Sequence, residues 1–276
     1  MSSQKIAIVC SGGGMRCSYS AGALVALARE YGFTEPYLVI GNSGSAGSLA
    51  YYLAGQYDSI RNIWTNILTS KQFIWILRFW NICNVDWLID SVFKKIDPLD
   101  TTRLENSKTR FLVSVFSMDD GTIWFLDRHE ADIFELLRAT KAMPIIFNHD
   151  VKIKDRRYRD ASRCMSVHGS IEQAFFLGAD KVIVINNEFG RSSILFALYA
   201  LLLPATMRTL IAEEKEREAK GYPSLTERSR DIIWMCPQTL PISLLGNSST
   251  KLMKSFALGY RDAKENLEFK TLLRQK

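Results

Sequence analysis

The sequence predicts an α/β fold with a mainly parallel central sheet, and two observations carry this prediction. Short apolar runs, IAIVC at residues 6–10 and YLVI at residues 37–40, indicate buried strands because glycine-rich turns follow them. A helix-like stretch comes after each turn, so strand, turn and helix repeat, which is typical of α/β domains. With 276 residues, 47% of them hydrophobic, the chain can bury the core that such a fold needs.

The remaining predicted elements continue this alternation along the chain. Further strands are predicted at residues 110–116, 122–126, 151–153, 181–185 and 231–235, and helices at residues 21–30, 46–53, 131–139 and 170–177. The turn DDG at residues 119–121 joins two of these strands as a pair. The sequence shows no repeat and no low-complexity linker, so we expect a single domain over residues 1–276.

Charge and cysteine content limit the partners and cofactors. Lysine and arginine exceed the acidic residues by 35 to 29, which would attract an anionic lipid or a nucleic acid equally, and a mildly basic protein without either is the alternative. The five cysteines form no pair or Cys/His cluster at metal spacing, so we expect reduced thiols and no metal. The start, MSSQKIAIVC, does not resemble a secretory signal, which predicts a cytoplasmic protein.

Two apolar segments are unusual. FIWILRFWNICNVDWLIDSVF at residues 73–93 is dense in aromatic residues, and SILFALYALLLPATM at residues 193–207 is apolar for about a dozen residues. Neither reaches the ~18 uninterrupted apolar residues of a membrane span. We expect each to be a buried helix, with interfacial membrane contact as the alternative. The charged helix predicted at residues 208–221 makes the second segment the better candidate for that contact.

The first glycine-rich stretch, GGGMRC at residues 12–17, comes just after the first strand. A dinucleotide-binding loop would need a glycine where the chain has Cys17, and a P-loop would need Gly-Lys-Ser/Thr. Nucleotide binding is therefore disfavoured. Two interpretations remain, a tight turn that only packs and a set of backbone amides that binds an anion.

The second stretch, GNSGS at residues 41–45, follows the second strand and precedes a helix. This is the context of a nucleophile elbow, where a sharp turn exposes one serine hydroxyl. Gly41 and Ser43 match the pattern G-x-S-x-G, with Gly44 between, but Ser45 stands where the last glycine belongs. A frame centred on Ser45 lacks the first glycine, so spacing alone leaves both serines as candidates.

A serine that transfers acyl groups also needs amide donors for the oxyanion and a base. The amides of Gly12, Gly13 and Gly14 would supply the donors. None of the three histidines lies in a triad pattern, and a carboxylate can replace histidine if burial raises its proton affinity. The candidate is Asp160 in RRYRDASRC, which follows the strand at residues 151–153 and opens a turn of small residues; a turn or ion-pair residue is the alternative.

In order and content, these stretches resemble the patatin-like phospholipases, in particular their bacterial branch. That family has G-G-G-x-R-G, G-x-S-x-G and D-G-G or D-G-A, and this chain has GGGMRC, GNSGS and YRDAS. GALVALAREYG, AYYLAGQY, ATKAMPIIF and SIEQAFFLGADKVIVINN also agree. The resemblance implies a three-layer α/β/α sandwich, with a catalytic core at residues 5–187 and a C-terminal part at residues 188–276 that holds an apolar helix, a charged helix and a last strand.

The resemblance also implies an activity, the hydrolysis of lipid or phospholipid esters without metal or organic cofactor and without a nucleic-acid partner. The implied roles are Ser43 as nucleophile, Asp160 as its base, and Gly12, Gly13, Gly14 and Arg16 as the oxyanion loop. The spacing of residues 40–56 agrees with that of the family when Ser43, rather than Ser45, is the nucleophile. The form G-x-S-G-S also resembles the elbow of group IV phospholipases. A cytoplasmic protein with peripheral membrane contact is the expected setting.

Three departures from the family pattern leave a second hypothesis open. Cys17 replaces the glycine after Arg16, Ser45 replaces the last glycine of the elbow, and Ala161 and Ser162 replace the pair after the aspartate. A side chain at a position that requires positive φ would strain or shift the turn. The alternative is therefore a catalytically weak or inactive member of the family that acts as a lipid-binding or regulatory module.

Overall fold

The computed structural model describes residues 4–78, 81–144, 146–188 and 203–273. In these residues a mixed, mostly parallel sheet is flanked by helices, as the sequence predicts. Its strands are β1 (Ile6–Cys10), β2 (Leu38–Gly41), β3 (Arg110–Ser117), β4 (Ile123–Asp127), β5 (Val151–Ile153), β6 (Arg156–Asp160), β7 (Lys181–Ile185) and β8 (Ile232–Met235).

The strand order puts β1 at the centre of the sheet. The order is β5-β6-β3-β2-β1-β7-β8, with β4 paired to β3 off this path. Neighbours from β3 to β8 along this order are parallel, whereas β4, β5 and β6 pair antiparallel. Parallel strands must be covered on both faces, and every residue of β1 is buried accordingly.

Helices cover both faces of the sheet. In the described residues they are α1 (Ser18–Tyr31), α2 (Gly44–Leu53), α3 (Tyr57–Asn62), α4 (Thr101–Asn106), α5 (Ile133–Ala139), α6 (Val167–Phe176), α7 (Ala205–Ala219), α8 (Pro223–Thr226), α9 (Ser249–Glu265) and α10 (Leu267–Leu273). Short 3-10 turns lie at Gly14–Cys17 and Ser229–Asp231, and π-helical segments at Ile63–Ile67 and Trp87–Ile96.

Alternate residues of β1 enter two separate cores, which is the origin of the three layers. Ile6 and Ile8 pack in a core with side chains of α1, α2 and α9, whereas Ala7 and Val9 pack in a second core with side chains of α6. Successive side chains of a strand point to opposite faces of the sheet, so an uninterrupted apolar run such as IAIVC supplies both cores.

The predicted strands are present with boundaries that shift by no more than one residue, but one strand was missed. The sequence analysis expects Asp160 after the strand at residues 151–153, at the opening of a turn, and it misses the strand that ends at Asp160. Residues Arg156–Asp160 form β6, which pairs with β5 and β3, and Asp160 is its last residue. The run RRYRD hides the strand because Tyr158 is its one apolar residue, and Arg156 and Arg157 pair with acidic residues at the surface.

The two unusual apolar segments have different outcomes. The first is not the expected buried helix throughout: its described residues 73–78 and 81–84 form turns and a bridge between Ile74 and Cys83, and its end is helical, within Trp87–Ile96. The second segment lies mostly outside the described residues. Among the residues that the structure does describe, no helix is both long and apolar enough to cross a membrane.

Candidate active site

Ser43 occupies the sharp turn between β2 and α2. Its backbone has φ 52° and ψ −123°, a region that residues other than glycine rarely adopt and that costs about 1–3 kcal/mol. The turn is held from outside, because the Ser43 amide donates to Thr140 Oγ1 at 3.0 Å. Thr140 Oγ1 in turn donates to the Ser114 carbonyl of β3 at 2.9 Å. The strained backbone conformation of Ser43 is therefore held in place by β3 and by the segment after α5.

The glycines beside Ser43 allow the turn to pack closely. A Cβ on Gly41 would lie 2.8 Å from the Ala46 Cα, so a side chain there would push α2 away from β2. A Cβ on Gly44 would lie 3.0 Å from the Gly14 carbonyl oxygen and 3.1 Å from Cys17 Sγ. The elbow thus rests directly on the glycine loop, and the sequence pattern has a steric reason.

Ser45 is buried and fully engaged. Its hydroxyl donates to the Ser11 carbonyl at 2.7 Å, lies 3.0 Å from Ser20 Oγ and accepts from Asn187 Nδ2 at 3.2 Å. These bonds tie the start of α2 to the end of β1 and to α1. The residue that replaces the last glycine of the elbow therefore joins the two loops.

Asp160 lies at the end of β6 with one carboxylate oxygen unpaired. Oδ1 accepts from the Ser162 amide at 2.7 Å, whereas Oδ2 is buried and has no hydrogen-bond partner among the described residues. Burial raises the pKa of Asp160, and this is opposed in part by hydrogen bonding from Ser162, by the nearby Ser43 hydroxyl and by the charge of Arg163. The carboxylate is thus near the Ser43 hydroxyl and binds a proton more tightly than an exposed aspartate.

The segment that follows α5 connects the serine to the aspartate. Thr140 receives the Ser43 amide, and two residues later the Ala142 carbonyl accepts the Asp160 amide at 3.1 Å. Lys141, between them, is buried in the wall of the pocket beside Ser43. The sequence analysis noted ATKAMPIIF but assigned no role to these residues, because nothing in a single sequence shows that this segment lies between the other two.

The glycine loop carries amides with no acceptor. Gly13 and Gly14 have positive φ, 143° and 55°, which turns the chain sharply after β1. No hydrogen-bond partner is found among the described residues for the amides of Gly12, Gly13 and Gly14, whereas the Met15 amide donates to the Leu244 carbonyl at 3.0 Å. A Cβ on Gly12 would lie 3.3 Å from the Ser43 Cβ, so this loop passes directly beside the elbow.

Arg16 is the one predicted loop residue that lies apart from this site. It lines a hollow formed with residues 238–251 and is not among the residues that line the pocket at Ser43. The structure therefore brings Ser43, Asp160 and the glycine amides together and leaves the Arg16 side chain outside.

The departures from the family pattern cause no backbone strain. Cys17 has φ −64°, and neither Ala161 nor Ser162 has positive φ. The Cys17 thiol donates to the Ser11 carbonyl at 3.9 Å, and burial raises its pKa to about 12, so it stays protonated. These substitutions fill space against the elbow without distorting the turns.

An apolar pocket opens at Ser43, with a space of about 750 Å³ that includes the open solvent at its mouth. Its walls combine side chains of α2, of the π-helical segment Ile63–Ile67 and of residues 73–93. The side chains from that last segment are Phe73, Ile74, Cys83, Val85, Leu88 and Phe93. The first unusual apolar segment thus shapes the pocket beside the serine.

Comparison with known proteins identifies the family. The family model described as patatin-like phospholipase matches residues 8–167, more than half of the chain. The chain belongs to the patatin-like phospholipase family. At the level of the family, this membership supports lipid acyl hydrolysis. The matched residues contain the glycine loop, the elbow and Asp160.

Two individual proteins are similar to this patatin-like chain. The uncharacterized protein YjjU of Escherichia coli K12 is 26% identical over 186 residues, which are 66% of this chain and 51% of YjjU, so the chain spans about half the length of this curated relative. The crystal structure of VipD from Legionella pneumophila superposes with a TM-score of 0.52 at 12% identity, covering 99% of this chain and 67% of VipD. The likeness to VipD shows the shared fold.

Proposed function

We propose that the protein is a serine lipid acyl hydrolase of phospholipase A or esterase type that cleaves fatty acyl esters through Ser43 and Asp160. One observation carries the proposal. Ser43 is held in a strained elbow next to Asp160, a buried aspartate with one carboxylate oxygen that has no hydrogen-bond partner in the described part of the chain. Strain of this kind persists where the surrounding structure enforces it, and it clusters at active sites.

In the proposed reaction, Asp160 accepts the Ser43 proton as the hydroxyl oxygen attacks the ester carbonyl. The carbonyl π electrons move to oxygen, and the amides of Gly12, Gly13 and Gly14 stabilise the resulting anion. The tetrahedral intermediate collapses, the alcohol leaves with the proton from Asp160, and an acyl-enzyme remains. Water, deprotonated by Asp160, then cleaves the acyl-enzyme, and Ser43 recovers its proton as the fatty acid is released.

Two features favour this chemistry at Ser43. The N-terminus of α2, with its positive dipole end, follows the serine directly and favours the alkoxide. Burial gives Asp160 the raised pKa that suits a base at near-neutral pH. Removing one oxyanion donor typically costs about 2.7–4 kcal/mol of transition-state stabilisation, so three amides without an acceptor in the described part of the chain would contribute strongly to catalysis.

We further propose that the loop beside the pocket touches the lipid surface from a cytoplasmic location. Trp75, Ile76 and Leu77 are 49%, 67% and 68% exposed, directly after Phe73 and Ile74 of the pocket wall. Lys71 and Arg78 flank these exposed apolar side chains. An apolar tip with basic neighbours suits a membrane interface with anionic lipids, and it would bring the pocket to its substrate.

The test is labelling by a fluorophosphonate together with hydrolysis of a short-chain chromogenic ester. We expect the wild type to be labelled and active, and Ser43→Ala and Asp160→Asn to lose at least a hundredfold in rate. Asp155→Asn, in the exposed turn of the same hairpin, and the exposed Ser229→Ala are the matched controls and should retain both signals. A folded wild type that is neither labelled nor active would contradict the proposal and favour the lipid-binding alternative.

A further inference from the structure

Lys141 is an unexpected residue in the pocket beside Ser43. It is the one lysine or arginine among the described residues that line this pocket, and its neighbours there are aromatic and aliphatic side chains. The residue is only 8% exposed. Its Nζ lies 3.7 Å from the position that a Cβ on Gly47 would take, one turn of α2 beyond Ser43.

The Lys141 ammonium has hydrogen-bond donors to spare. Nζ donates to the Leu137 carbonyl at 3.2 Å, and no other acceptor and no carboxylate at ion-pair distance is found among the described residues. An ammonium carries three N–H donors, so two remain unused. Since Gly47 has no side chain to cover it, the amine faces the pocket.

Stability alone does not account for a lysine at this position. Burial of an amine without a paired charge is costly, and here burial lowers the pKa of Lys141 to about 7, although the negative charge of Asp160 acts in the opposite direction. An apolar side chain would pack against the same walls without that cost. The lysine therefore fits a ligand that brings its own negative charge.

We propose that Lys141 binds an anionic oxygen group of the ligand inside the pocket, about 6 Å along α2 from Ser43. This inference rests on the proposed function. Two sources can supply the group, the phosphate of a glycerophospholipid or lysophosphatidate and the carboxylate of the released fatty acid. In the first case Lys141 selects esters with a negative charge near the cleaved bond, and in the second it binds the product.

Lys141 could instead stabilise the negative charge of Asp160, and this role predicts a different effect on the rates of ester hydrolysis. If Lys141 acted only through the aspartate, its removal would slow every ester by the same factor. An anion site instead changes the ratio between charged and uncharged substrates. This ratio is therefore the quantity to measure.

The experiment compares 1-octanoyl-lysophosphatidate with 1-octanoylglycerol, which differ only by the phosphate, below their micelle concentrations. We expect Lys141→Met to lower the ratio of the two kcat/KM values by roughly tenfold or more, the usual worth of a charge-assisted hydrogen bond. Lys152→Met, at an exposed lysine of β5, should leave the ratio unchanged. Equal losses for both esters, or an unchanged ratio in Lys141→Met, would overturn the substrate-phosphate form of the inference.

A binding measurement separates this inference from the proposed function. Calorimetric titration of Ser43→Ala and of the Ser43→Ala, Lys141→Met double variant with octanoyl-lysophosphatidate, octanoylglycerol and octanoate needs no turnover. We expect roughly tenfold weaker binding of at least one anion in the double variant, and the anion affected identifies the source. Equal affinities of the two proteins for both anions would overturn the inference, even if the wild type is an active hydrolase.

If anion binding depends on Lys141 but the wild type hydrolyses no ester, the proposed hydrolase reaction is refuted and the inference about Lys141 is supported. If Lys141→Met does not fold, Lys141→Gln takes its place, because its amide can still donate to the Leu137 carbonyl while lacking the charge.

Discussion

At the scale of one residue, the backbone conformation that positions the Ser43 hydroxyl lowers the stability of the folded protein. Its φ of 52° is unfavourable for serine, and the Thr140 hydroxyl and the packing of Gly41 and Gly44 hold it there. The strain belongs to the backbone, so it remains when only the hydroxyl is removed. Replacement by glycine removes the strain as well.

We therefore predict that Ser43→Gly is more stable than Ser43→Ala. Relief of about 1–3 kcal/mol of strain outweighs the roughly 0.5–1 kcal/mol that glycine costs in chain entropy. Urea unfolding of both variants and the wild type measures this, with Ser43→Ala as the control that keeps the strain. If Ser43→Gly unfolds at the same urea concentration as Ser43→Ala, the elbow is not strained.

Asp160 gives a second prediction at this scale, on pH and stability. Its pKa in the folded protein is raised by burial above the ordinary value of 3.8, so the native state holds the proton more tightly than the unfolded state. The contribution of this group to stability is complete below pH 3.8 and is lost as pH rises through the folded pKa. Asparagine at this position cannot ionise, so its contribution to stability does not fall as the pH rises.

Asp160→Asn should thus be more stable than the wild type at pH 7, and its advantage should shrink as the solution is acidified. Thermal unfolding at a series of pH values tests this, with Asp155→Asn as the exposed control. In the wild type, the rate of fluorophosphonate labelling should rise with pH along an acid limb centred above pH 3.8, because only the ionised carboxylate accepts the serine proton. A stability difference that does not change with pH would show that Asp160 titrates normally.

At the scale of elements, α1 and α9 approach so closely that only glycine fits at their crossing. A Cβ on Gly22 would lie 1.9 Å from the Phe256 carbonyl oxygen, and one on Gly259 would lie 1.9 Å from the Tyr19 carbonyl oxygen. Both obstacles are backbone atoms that cannot rotate away. The helix that carries the glycine loop at its start is thereby fixed against the C-terminal part of the chain.

We predict that Gly259→Ala destabilises the protein by about 1–3 kcal/mol, the usual cost of overpacking, despite the better helix propensity of alanine. Lys254→Ala, at an exposed position of α9, is the control and should change the free energy of unfolding little. Chemical denaturation measures both. A Gly259→Ala protein as stable as the wild type would mean that the helices separate without cost.

At the scale of the whole molecule, the net charge of +6 and the exposed loop at Trp75, Ile76 and Leu77 predict membrane binding. Ile76→Glu should weaken binding to vesicles that contain anionic lipid by roughly tenfold, because burial of one large apolar side chain contributes about 1.5–3 kcal/mol. Leu267→Glu changes an equally exposed residue of α10 and should bind as the wild type does.

Vesicle cosedimentation at low and high salt measures this binding. Added salt should weaken it, because basic side chains contribute through screened charges. Equal binding by Ile76→Glu and the wild type would contradict a membrane contact at this loop.

One domain over residues 1–276 also remains a prediction at this scale. It is supported by two contributions of the C-terminal part, since β8 extends the sheet next to β7 and α9 packs on α1. The predicted apolar helix of that part falls mostly on residues outside those described.

The sequence by itself determined the α/β class, the two turns and the family. It could do so because apolar strand runs, glycines at tight turns and a serine at a sharp turn are local requirements that a few adjacent residues satisfy. Only the tertiary structure decided what meets Ser43. The charged strand β6 forms by pairing with β3 and β5 while Arg156 and Arg157 meet acidic partners, and Lys141 enters the pocket because the segment after α5 bonds to both Ser43 and Asp160. These contacts join residues well separated in the sequence, 36 positions for Asp120 and Arg156 and 97 for Ser43 and Thr140, and no local pattern in one sequence encodes them.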